Sequence, residues 1–93
     1  MREFTIQIPQ GAQISNLGFA ASVVEKAKSY TSDDVNIKID NYQYVDAKSF
    51  LGLASLRYDL TTKITVQITG ENENYSAPNF ESFVKKLVLL YSD

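Results

Sequence analysis

The stretch from Lys63 to Tyr91, KITVQITGENENYSAPNFESFVKKLVLLY, changes its hydrophobic period once, and that change sets the fold class. Ile64, Val66 and Ile68 alternate with Thr65 and Gln67, the period-2 pattern of a strand with one buried face. Gly70 closes the strand, and Glu71 to Asn74 reads as a polar loop. From Ser76-Ala77-Pro78 the spacing turns helical, since proline is tolerated in a first helical turn. Phe80, Phe83, Val84, Leu87, Leu90 and Tyr91 are expected to face inward, with Glu81, Lys85 and Lys86 in water. A half-buried strand followed by a one-faced helix fits an antiparallel sheet covered on one side.

The rest of the chain repeats these two patterns. Phe4, Ile6 and Ile8 alternate with Thr5 and Gln7 until Pro9-Gln10-Gly11 ends the strand. Phe19, Ala20, Val23, Val24, Ala27 and Tyr30 recur at helical spacing, and Ser15 or Asn16 is placed to cap that helix. Val35, Ile37 and Ile39 form a second alternating strand, with Asp40-Asn41 as a turn into a short strand at Tyr42–Val45. Asp46 to Leu56 reads as a short helix with Phe50, Leu53 and Leu56 along one side. The order is β-α-β-β-α-β-α, an α+β chain with a four-stranded antiparallel sheet and three helices on one face. No repeat or linker interrupts residues 1–93, which are expected to form one domain with an adequate core.

Composition excludes much. The net charge is −2, and Lys26, Lys28, Lys48, Lys63, Lys85 and Lys86 lie scattered among carboxylates, which argues against nucleic acid as a partner. No apolar run approaches the roughly 20 residues that span a bilayer. The opening Met1-Arg2-Glu3-Phe4-Thr5 lacks a signal-peptide core, so a cytoplasmic location is expected and Asn74-Tyr75-Ser76 reads as a chance sequon. With no histidine and no cysteine, there is no Ser-His-Asp triad, no thiolate and no zinc site of the usual kind. The glycines at 11, 18, 52 and 70 stand apart and build no phosphate loop. Asp33-Asp34 and Glu71/Glu73 read as solvated loop charges. The expectation is a protein that is not an enzyme and uses neither metal nor cofactor.

Two segments carry a family resemblance. FAASVVEKAKSY (19–30), and DAKSFLGLASL (46–56) followed by ITVQITGENE (64–73), resemble HPr, the phosphocarrier of the bacterial sugar phosphotransferase system. The element order is also that of the HPr fold, an open-faced β-sandwich. Lys48 to Leu56 is the most specific piece and looks most like Gram-positive members. The family's active site is a His-x-Arg-Pro run at the start of the first helix. Aligning Ala20-Ala21 with the alanines that follow that run puts Asn16 at the histidine position, Gly18 at the arginine and Phe19 at the proline.

An imidazole nitrogen is nucleophilic near neutral pH and can pass on a phosphoryl group, whereas an amide nitrogen is delocalised and cannot. The resemblance therefore implies a member unable to carry phosphohistidine. It also implies a second site: Ser49 falls where a dedicated kinase phosphorylates Gram-positive members, which then bind a transcriptional regulator. Lys48, Phe50, Leu51 and Leu53 would form the surrounding interaction surface, with Lys48 and the helix start favouring the phosphate. Some HPr paralogues lack the histidine, keep the serine and act in catabolite regulation. Two alternatives stand beside this one. One is a phosphate-independent scaffold using tyrosines such as Tyr42, Tyr44, Tyr58 and Tyr75. The other is a small-ligand sensor of ferredoxin-like type.

Overall fold

The computed structural model describes residues 1–9, 16–57 and 63–91. Its elements are β1 (Arg2–Gln7), α1 (Asn16–Lys28), β2 (Asp33–Ile39), β3 (Val45–Asp46), α2 (Phe50–Ala54), β4 (Lys63–Gly70) and α3 (Glu73–Tyr91). The four strands form one sheet in the order β1-β4-β2-β3, with every pairing antiparallel. β4 lies between β1 and β2, so the last strand made is central. A ferredoxin-like sheet inserts the third strand there instead, and the order found here excludes that architecture.

Register explains which side chains are buried. Phe4 pairs with Val66 and Ile6 with Ile64, while Val35, Ile37 and Ile39 pair with Ile68, Val66 and Ile64. These residues share one face. The opposite face carries Glu3, Thr5, Asn36, Lys38 and Gln67, and stays polar. The helices cover the apolar face. Phe19, Val23 and Ala27 from α1, Leu53 from α2, and Phe80 and Val84 from α3 are all fully buried. Phe80 sits at the centre, edge-on to Phe4 and Tyr30 and stacked with Phe83.

The elements differ from the sequence expectation in three places. β3 is only Val45–Asp46, because Asp46 pairs with Asn36 and its Oδ1 accepts from the Lys48 backbone N–H at 2.9 Å. That turn delays α2, which starts at Phe50 and not at Asp46. α3 starts at Glu73, ahead of Ser76, so Pro78 falls inside it and deprives the carbonyl of exposed Asn74 of its helical donor. Along α3 the inward stripe is Phe80, Val84, Leu87 and Val88, while Leu90, expected inside, is exposed like Leu89. No helix among the described residues is long and apolar enough to cross a membrane.

Candidate functional site

Two helix starts matter. At the first, α1 opens with Asn16, and Ser15, the other proposed cap, lies outside the described residues. Gly18 stands in the first turn beneath Tyr91 of α3. A Cβ at position 18 would lie 3.0 Å from both Cε1 and Oη of that tyrosine. The same ring packs edge-on against buried Phe19, with centroids 6.3 Å apart. The corner is filled by aromatic carbon and a phenol.

At the second start, Ser49 is the N-cap of α2, with extended backbone (φ −106°, ψ 111°) and its Oγ accepting from the Gly52 N–H at 3.2 Å. It is half-buried. Directly after it Phe50 is 42% exposed and Leu51 83% exposed, and Leu17 on α1 is 64% exposed. Phe50 and Leu51 thus put an outward apolar surface next to Ser49 in the chain.

The other two members of the expected surface are elsewhere. Leu53 is 0% exposed, because in a helix of five residues it is the position turned to the core. Lys48 does not reach the hydroxyl's side. Its Nζ donates to the carbonyl oxygens of Tyr30 at 2.8 Å and Asp33 at 2.6 Å. The ammonium therefore sits beyond the C-terminal end of α1, where a positive charge meets two backbone carbonyls and the negative end of the helix dipole. α2 is too short to gather much dipole of its own, so of the electrostatic features expected beside Ser49 only the first-turn N–H groups of α2 are there.

Asp33 also corrects an expectation. It is not a solvated loop charge but 3% exposed. Its Oδ1 accepts from the Asn72 N–H at 2.9 Å and its Oδ2 from the Ser76 hydroxyl at 2.5 Å. Gly70 has to be glycine, since a Cβ there would overlap the Asp33 carboxylate and the Ser32 carbonyl. Glu73, expected to be another loop charge, accepts from the Gly70 N–H at 3.2 Å and pairs with the Met1 ammonium at 2.7 Å. The hydrogen bond from that ammonium, then the one from Gly70, holds its carboxyl below the usual range. Tyr30 closes the same corner by donating its hydroxyl to Asn79. Burial, and secondarily Tyr75, pushes its phenol up to about 12.

Of the tyrosines, Tyr42 and Tyr75 are exposed, and Tyr58 lies outside the described residues. Tyr44 lies over the polar sheet face, under the Lys38 ammonium at 4.9 Å and within 3.4 Å of Glu3. No group of acidic side chains among the described residues could hold a metal ion.

The comparisons with known proteins agree with this geometry. The family model for the PTS HPr component phosphorylation site matches residues 1–86, a span containing both helix starts. Among solved structures, HPr-C-His from Thermoanaerobacter tengcongensis superposes with a TM-score of 0.75 at 24% identity, covering 95% of this chain and 96% of that one. The histidine-containing phosphocarrier protein of Mycoplasma gives 0.74 at 16% identity, covering 95% and 97%. Crh, the catabolite repression protein of Bacillus subtilis, whose structure is an intertwined dimer with a swapped domain, gives 0.65 at 25% identity, covering 94% and 97%. Curated protein sequences give no match. Four antiparallel strands, three helices and a match over residues 1–86 place this chain in the HPr family of the phosphotransferase system.

Proposed function

We propose that this chain is a regulatory, protein-binding member of the HPr family that acts through Ser49 and the surface of Phe50 and Leu51, and that it carries no phosphohistidine. The observation that carries this reading is a capping serine hydroxyl beside two exposed apolar side chains, in a chain with no imidazole to accept phosphate. A phosphate on Ser49 would bring close to two negative charges and three acceptor oxygens to the border of that apolar surface. Because Lys48 is held by backbone carbonyls, the cations that read the phosphate would come from the partner. The fitting partner is a protein with an arginine or lysine cluster beside an apolar pocket, such as a transcriptional regulator, with a serine kinase acting upstream in the cytoplasm.

The test is intact mass after incubation with ATP and an HPr serine kinase from a Gram-positive source, with Ser49→Ala as control. One added phosphate that is absent from the variant supports the reading. An unmodified Ser49, with no regulator bound, sinks it. The second reading is a phosphate-independent interaction module, favoured by the turned-away Lys48 and the five-residue α2. It expects the same surface to bind its partner with Ser49 unmodified.

A further inference from the structure

The family resemblance leaves α1's first turn defined only by what it lacks, yet the corner is occupied. In a helix each Cα–Cβ bond tilts toward the N-terminus, and a side chain covers the turn before its own Cα. A side chain at position 18 would therefore project toward the mouth of α1, and that is where the Tyr91 phenol stands, 3.0 Å from the Cβ position. Tyr91 packs edge-on there against Phe19, which is fully buried. Glycine at 18 and tyrosine at 91 are thus one packing unit: the absent side chain makes room for the ring.

We propose that Tyr91 is a specificity-determining residue that closes α1's first turn, shutting out a basic side chain at position 18 and the phosphoryl group such a side chain would hold. The chain is then insulated from phosphoryl transfer at α1 by shape as well as by the missing imidazole. This rests on the reading that the chain acts through α2. It predicts that restoring the histidine and arginine rebuilds only a slow phosphoryl acceptor until Tyr91 also goes.

The experiment compares Asn16→His/Gly18→Arg with Asn16→His/Gly18→Arg/Tyr91→Ala, using phosphoramidate as the phosphoryl donor. The imidazole lone pair forms a new N–P bond while the donor's P–N bond breaks, and the nitrogen leaves as ammonia that takes up the imidazole proton. Acid-labile phosphate is followed by intact mass and 31P NMR, with circular dichroism to verify folding. The triple variant is expected to react about tenfold faster than the double. Equal rates in two folded variants, or no reaction in either, would overturn the proposal. If the double variant does not fold, melting temperatures decide instead. Gly18→Ala should raise the melting temperature more in a Tyr91→Ala background than in the parent, and additive shifts overturn the coupling. Serine-kinase labelling of Ser49 is run on the parent and on Tyr91→Ala alone. Loss of that signal in both defeats the α2 reading and leaves the Tyr91 result standing on its own.

Discussion

Ser49 and Ser76 stand at or near helix starts that look alike in sequence, yet the fold uses them in opposite ways. Ser49 accepts from its own helix, stays half-buried and borders exposed apolar carbon. Ser76 is 1% exposed and donates its hydroxyl to a carboxylate distant in sequence, tying α3 to the start of β2. The first hydroxyl serves only its own helix and the second is committed to the tertiary fold. What separates them is not the residue or its immediate neighbours but the partner that takes up its hydrogen-bonding capacity.

The largest effect should come from the committed side. Asp33→Ala removes the acceptor for both the part-buried Asn72 N–H and the buried Ser76 hydroxyl, a loss of roughly 3 kcal/mol in urea unfolding. Ser76→Ala made on top of Asp33→Ala should add little, because the two share one interaction. Full additivity would show that the pair is not a unit. Lys48→Met keeps the stem and deletes the ammonium that serves the Tyr30 and Asp33 carbonyls, at about 2 kcal/mol. Ser49 labelling should survive it. A stable Lys48→Met protein that the kinase no longer modifies would return Lys48 to the recognition surface.

On the Ser49 side the structural effect is smaller. Ser49→Ala loses one cap and should cost about 1 kcal/mol. Phosphate incorporation should vanish while the fold is kept, and that separation of stability from labelling is what distinguishes this serine from Ser76.

Much of this was legible. Strand and helix periods placed six of the seven elements near their observed positions, since apolar alternation and helical stripes follow directly from burial on one face. β3 and the start of α2 were misjudged because a turn closed by the Asp46 carboxylate leaves no hydrophobic signal. The knot around Asp33 left a signal that composition alone hides. Asp33 is in phase with Val35, Ile37 and Ile39, and Ser76 with Phe80 and Val84, so each period puts a polar group on a buried face, where it requires a partner. Local sequence does not say that the two meet; β2 and α3 come together only through the sheet order. Tyr91 over Gly18 was hidden for the same reason. The surface that the resemblance implies includes Leu53 and Lys48 because their neighbours Phe50 and Leu51 face outward, whereas a short helix turns one residue in and a long cation folds back to nearby backbone carbonyls.

The smallest effect concerns protons. Tyr30 belongs to the committed corner, with its carbonyl receiving Lys48 and its hydroxyl given to Asn79. Its phenol titrates near 10.0 when unfolded and is pushed up to about 12 in the fold by burial. The unfolded chain therefore loses this proton first as pH rises. The stabilisation is whole below pH 10.0 and drains away as pH climbs toward about 12. Urea midpoints of the parent and Tyr30→Phe isolate this contribution, because the other titrations are common to both chains. At pH 8 the variant should be weaker by about 1 kcal/mol for the lost hydrogen bond. Above pH 10.0 the gap should narrow, since only the parent has a phenol to ionise. A gap that stays constant to pH 11 would mean that the Tyr30 hydroxyl is as open to water as the Ser49 side of the molecule, and the contrast between the two corners would fail there.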